Sequence, residues 1–139
     1  DGVKNASFNI ASLNRENAII EINYVAYDDS NRVIGRGTKI LDIIAIPDEF
    51  ALHQNYPNPF NPTTMINYDM PENGKIKMVI YDLMGREVTT LINNEQNAGY
   101  HNILWNGLNQ GGRAVSAGIY FCRLSGNNYN QTIKMLLLK

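Results

Sequence analysis

The sequence predicts an all-β fold, on three observations. Short runs rich in β-branched and aromatic residues recur through all 139 residues, and such residues suit a pleated, half-buried surface. Clusters of Gly, Asn, Asp and Pro separate the runs, as turns require. No window of ~10 or more positions holds a helical period of apolar residues.

The strands follow in order. Residues 1–46 offer three or four. Phe8–Ile10 is the first candidate. Ala18–Tyr27 is the clearest, with Ile20, Ile22 and Tyr24 on one face and Ile19 on the other. Asp28-Asp-Ser-Asn31 turns the chain into Arg32–Gly35, and Lys39–Ile46 closes the segment. So few strands do not make a two-layer sandwich alone, so the segment reads as the end of a truncated β-sandwich. Pro47-Asp-Glu-Phe50 then breaks the pattern, because proline cannot donate to a sheet ladder. The expected division is a β-sandwich part over residues 1–46, a linker over 47–50 and a second domain over 51–139.

That second domain gives about seven strands. Leu52–Tyr56 leads into a proline segment, and Thr63–Met70 follows. Lys75–Leu83 alternates, with Ile76, Met78 and Ile80 on one face. Glu87–Ile92, Gly99–Trp105, Gly118–Leu124 and Thr132–Leu138 complete the set. Seven short strands with turn residues at each break predict a seven-stranded immunoglobulin-like β-sandwich.

Composition excludes several functions. The formal net charge is -1. No basic excess exists to neutralise phosphates, so nucleic acid is not an expected partner. No apolar run approaches the ~20 residues of a membrane helix. Cys122 is the single cysteine, so it forms neither an internal disulfide nor a multi-cysteine metal site. Within Gly118-Ile-Tyr-Phe-Cys-Arg-Leu124 it reads as a buried, inert thiol. His53 and His101 stand in no metal-ligand spacing. Asp28 and Asp29 lack the glycine and glutamate of a calcium loop and read as a hairpin turn. No nucleophile triad, carboxylate pair or phosphate loop stands out, so the expectation is a non-enzyme with no cofactor and no metal. Asp1 reads as the start of a fragment, and Leu138-Lys139 as a natural end.

Tyr56-Pro-Asn-Pro-Phe-Asn-Pro62 holds three prolines at nearly alternate positions. Each fixes its own φ and biases the preceding residue to extended geometry. The stretch should therefore be stiff and extended, run along a sheet edge, and leave Tyr56 and Phe60 available to pack. It serves either as a rigid recognition element or as a lead-in strand. Gly85 and Gly118 read as backbone residues of a tight turn and a strand start. Trp105 and Tyr120 read as core aromatics with polar atoms bonded near the rim. The run Ile133-Lys-Met-Leu-Leu-Leu-Lys139 would be aggregation-prone as an open edge, with Lys134 and Lys139 as charged gatekeepers. The alternative is a terminal strand presented to a receptor by pairing at its edge.

Several motifs in order carry a family resemblance. Phe50-Ala-Leu-His-Gln-Asn-Tyr-Pro-Asn-Pro-Phe-Asn-Pro-Thr-Thr64 resembles the opening of type IX (Por) secretion C-terminal sorting domains. Ile80-Tyr-Asp-Leu-Met-Gly-Arg-Glu-Val88, Ala98-Gly-Tyr-His101, Trp105-Asn-Gly107, Ser116-Ala-Gly-Ile-Tyr-Phe-Cys-Arg-Leu124 and Lys134-Met-Leu-Leu-Leu-Lys139 resemble the rest of that domain. The Ig-like domain of flagellar hook-capping proteins shares part of the pattern but lacks the proline opening. Residues 1–46, ending in Gly37-Thr-Lys-Ile-Leu-Asp-Ile43, loosely resemble the end of a cohesin-like β-sandwich.

The resemblance implies a secretion signal that takes a cargo through the periplasm and across the outer membrane of a Gram-negative-type bacterium, to the cell surface or medium. It implies as partners an outer-membrane type IX translocon and a sortase-like signal peptidase, with attachment to surface lipopolysaccharide after cleavage in many relatives. Tyr56, Pro57, Asn58, Pro59, Phe60, Lys134 and Lys139 are the expected recognition residues. Deleting the last six residues should then block export without unfolding a fused reporter. The alternative function is a binding or structural assembly module of an extracellular surface protein, with strand-mediated self-association through the N-terminal segment.

Overall fold

The structure, a computed structural model, describes residues 18–139, and Phe8–Ile10 lies outside them. Among the described residues every regular element is a strand. The chain divides into two units, Asp1–Ala45 and Ile46–Lys139.

In the first unit, β1 (Ala18–Tyr27) and β2 (Val33–Ile43) form one antiparallel ribbon. The expected strands Arg32–Gly35 and Lys39–Ile46 are thus a single strand. The glycines between them do not break it, because Gly35 and Gly37 stay in register opposite Ala26 and Tyr24. The Tyr24 ring lies across Gly37, in the space a side chain there would fill.

The second unit holds seven strands in two antiparallel sheets. They are β3 (Ala51–Leu52), β4 (Thr64–Met70), β5 (Gly74–Asp82), β6 (Glu87–Gln96), β7 (Gly99–Trp105), β8 (Gly118–Gly126) and β9 (Tyr129–Leu137). One sheet runs β3-β4-β7 and the other β6-β5-β8-β9. This is the seven-stranded immunoglobulin-like sandwich that strand spacing predicts. Period-2 alternation builds its core. Ile76, Met78 and Ile80 from β5, Tyr120, Cys122 and Leu124 from β8, and Ile133, Met135 and Leu137 from β9 point inward. Ile66, Tyr68 and Met70 from β4 and Trp105 from β7 oppose them.

Three boundaries differ from expectation. β9 starts at Tyr129, three residues before the expected Thr132, because Tyr129 and Asn130 pair with Gly126 and Ser125. β6 runs on to Gln96, since Asn93–Gln96 pair with Gly74–Lys77 despite their turn-like composition. The strand expected over Leu52–Tyr56 ends at Leu52, and only an isolated bridge follows, between Tyr56 and Met65.

One turn design recurs three times. In Asp28–Arg32, Asp82–Arg86 and Asn109–Arg113, the first residue's Oδ1 accepts the amide of the fifth at 2.9–3.0 Å. The fourth residue takes a positive φ: 63° at Asn31, 78° at Gly85 and 77° at Gly112. In the first two, the arginine Nε also donates to the aspartate, at 2.9 and 2.8 Å. Bonds from the amides and guanidinium of Arg32 and Arg86 hold Asp28 and Asp82 below the usual carboxylate range. The Asp28 carboxylate is thereby committed to its own hairpin.

Candidate functional site: the proline segment and the terminal strand

The proline segment begins at a sheet crossing. After β3 leaves the first sheet, the chain runs beside β9, the outer strand of the second. Gln54 Nε2 donates to the Lys134 carbonyl at 2.8 Å. The Leu136 amide donates to Asn58 Oδ1 at 3.0 Å. The Phe60 amide donates to the Leu136 carbonyl at 2.9 Å, and the Leu138 amide to the Phe60 carbonyl at 2.8 Å. Phe60 and Leu137 thus form a parallel bridge. Between Lys134 and Leu138 these bonds occupy the outward edge of β9, so strand addition there would have to displace Asn58 and Phe60.

A buried polar knot fixes the segment. Asn55 is only 2% exposed. Its Nδ2 donates to the Pro57 carbonyl at 3.1 Å and to Thr64 Oγ1 at 2.9 Å, and Thr64 Oγ1 donates to the Pro57 carbonyl at 2.8 Å. Tyr56 exchanges both backbone bonds with Met65, each 2.9 Å. Residues 57–59 bend instead of running straight, and Pro57, Pro59 and Pro62 each follow a cis peptide bond.

The expected recognition residues therefore converge without playing equal parts. Tyr56 projects into solvent, 79% exposed. Pro57, Asn58 and Pro59 are exposed beside it. Phe60 is 1% exposed and packs on Trp105, with ring centroids 5.5 Å apart, so its side chain serves the core. Lys134 and Lys139 are both exposed. Pattern reading missed Gln54, Asn55 and Thr64. Their only signal was polar residues flanking a proline run.

The four framework residues lie at or beside one end of the second sheet. Trp105 is buried, and its Nε1 donates to the Leu108 carbonyl at 3.0 Å. Tyr120 meets the Trp105 ring edge-on at 5.3 Å, and its hydroxyl donates to the Ser116 carbonyl at 2.6 Å. This bond back to upstream backbone is the tyrosine-corner arrangement of such sandwiches. Burial first, and the Asp82 charge second, raise the Tyr120 hydroxyl above its ordinary value. Gly85 and Gly118 have φ of 78° and 148°, conformations that side chains disfavour.

Chemically reactive groups are held elsewhere or shut in. Cys122 is fully buried, and burial pushes its thiol up to about 12. His53 Nε2 pairs with Asp69 Oδ2 at 2.8 Å, while His101 bonds the Asn97 carbonyl and stacks on Tyr68. No three His, Cys, Asp or Glu side chains gather as metal ligands among the described residues.

The FlgD Ig-like domain family matches residues 63–129, a little under half of the chain. No curated protein matches. Among solved structures, the chain is similar to dimeric latent PorU from Porphyromonas gingivalis, at 17% identity and a TM-score of 0.53 over 93% of this chain. It also resembles PorZ, described as an essential bacterial surface component of the type-IX secretion system of that organism. That likeness has 18% identity and a TM-score of 0.46 over 64% of this chain. The matched regions span 13% of the PorU chain and 12% of the PorZ chain. The PorU likeness is one of fold.

Proposed function

We propose that this chain is a non-catalytic sorting module, whose second unit directs an attached cargo across the outer membrane by a type IX route. The observation that carries the reading is convergence. The proline opening and the terminal strand, the two segments the family resemblance marks for recognition, are hydrogen-bonded side by side into one surface strip. Tyr56 and Lys134 are exposed along that strip, and Lys139 at its end. A translocon component of the outer membrane is the partner this reading needs, with a sortase-like peptidase acting afterwards. The cargo reaches the surface or medium by way of the periplasm.

Deleting the last six residues cannot test this cleanly, because Met135 and Leu137 are core residues at 0% and 2% exposure. Substitution is the better probe. The full chain fused to a periplasmic reporter in a type IX host should carry the reporter to the cell surface. Tyr56→Ala with Lys134→Ala should reduce surface reporter roughly tenfold while leaving the fold intact, since few exposed anchors dominate an interface. A parent fusion that stays in the periplasm sinks the reading.

The β1–β2 ribbon favours a second role, strand-mediated assembly. Ile19, Ile34 and Ile40 are 65–75% exposed on a sheet that has two strands among the described residues. Sedimentation velocity of the whole chain tests it.

A further inference from the structure

The outward face of β5, β8 and β9 carries a charge bias that the fold does not need. Outward positions alternate with the core residues along each strand. They place Lys75 and Lys77 on β5, Arg123 on β8 and Lys134 on β9, all exposed. On the neighbouring β6, Glu95 stands in register with Lys75; Lys77, Arg123 and Lys134 have no acidic register partner, although the chain as a whole carries -1. Arg123 Nε donates to Asn130 Oδ1 at 2.9 Å. Among the described residues none of the four cations forms an ion pair; the arginine–carboxylate pairs there are Asp28–Arg32 and Asp82–Arg86.

An apolar patch lies within the same face. Register sets Tyr81 beside Phe121 and Phe121 beside Lys134, with Ile119 beside Leu136 in the next row. Ile119 and Leu136 are 36% and 37% exposed, and Leu83 is 65% exposed. Tyr81, Asp82, Leu83, Gly85, Phe121, Arg123 and Thr132 line a depression of 290 Å³ in this face, and the Asp82 carboxylate there is held by Arg86 at 2.8 Å. The edge of β9 beside it is already occupied from Lys134 to Leu138. A partner approaching here must read side chains, not backbone.

We infer that this face docks an acidic protein surface, which seats one bulky apolar side chain in the depression and sets carboxylates against Arg123, Lys134 and Lys77. The inference rests on the sorting reading and names the chemistry of its partner. Charge complementarity selects an acidic occupant. The depression, floored by two aromatic rings and rimmed by a guanidinium, selects a protein over a lipid surface, because charge density alone needs no pocket.

The test uses the full chain fused to the reporter, with Lys77→Glu, Arg123→Glu and Lys134→Glu combined. A control carries Lys39→Glu and Arg113→Glu, which lie off this face. Reversal should reduce surface reporter roughly tenfold or more, and the control should not, as expected for charges facing a complementary partner. Circular dichroism melting checks that the reversed chain is folded. A second variant, Phe121→Ser, removes the aromatic floor and should also lower export. Export of both variants at the parental level overturns the inference and leaves the sorting reading standing. A parent that is not exported overturns both. Binding of the purified chain to vesicles of anionic phospholipid, lost on charge reversal, overturns the protein partner in favour of a membrane. A dimer lost on reversal overturns it in favour of a second copy.

Discussion

A single side chain, the Cys122 thiol, shows how burial sets reactivity here. Cys122 sits between Tyr120 and Leu124 on the inward face of β8, with no exposure. Its thiol should resist iodoacetamide in the folded protein at pH 8 and react once urea unfolds it. Rapid labelling of the native state would overturn that assignment. The pH dependence has a defined sign. The folded value, about 12, lies above the ordinary 9.0, so this contribution to stability is fully present below pH 9.0 and lost as pH rises toward about 12. The framework roles of Trp105, Tyr120 and Gly85 were legible, because large aromatics and a glycine after a turn carry their own signal. The Asn55–Thr64 knot was not. A buried polar pair is an exception to binary patterning, and nothing in composition distinguishes Asn55 from the many asparagines that cap turns.

Strands and loops bring distant sequence together. The Asn58 side chain stands where a neighbouring strand's carbonyl would stand, accepting the Leu136 amide. Asn58→Ala should speed hydrogen exchange at Leu136 by roughly fivefold, the scale of one lost hydrogen bond of ~1 kcal/mol. Exchange at Met135, whose residue pairs with Tyr120 on β8, should change little. Uniform acceleration along β9 would mean that Asn58 supports the whole strand instead of one edge position. At this scale β4, β5, β7 and β8 were readable to within a residue or two, because alternation and turn chemistry agree. Four boundaries were misread where the two disagree, one of them the start of β9 at Tyr129, where the polar residues Tyr129–Gln131 looked like loop. Gly35 and Gly37 looked like a break, the asparagines of β6 looked like a turn, and the residues after Leu52 looked like more strand. In each case pairing with a neighbouring strand, which a single sequence does not display, decided the outcome.

The whole molecule joins two units, each with its own sheets. The second closes a core between two sheets, whereas the first offers a two-stranded sheet among the described residues. Ribbons of two strands are marginal alone, and this one exposes Ile19, Ile34 and Ile40. The chain should therefore self-associate reversibly at high concentration through that ribbon, and Ile34→Lys with Ile40→Lys should return it to monomer. A strict monomer at every concentration in sedimentation velocity would sink the assembly role. The immunoglobulin-like sandwich was readable at this scale from strand count and spacing. That the proline opening and the chain's last strand would lie side by side was not, because it depends on the crossing of one sheet to the other after β3.

That crossing has a mechanical meaning. The final strand is gripped on both flanks, by β8 along its length and by Gln54, Asn58 and Phe60 over its last residues. A pull on the Lys139 end loads these bonds together along the strand axis, in shear, instead of peeling them one at a time. A pull along that axis therefore meets several bonds at once.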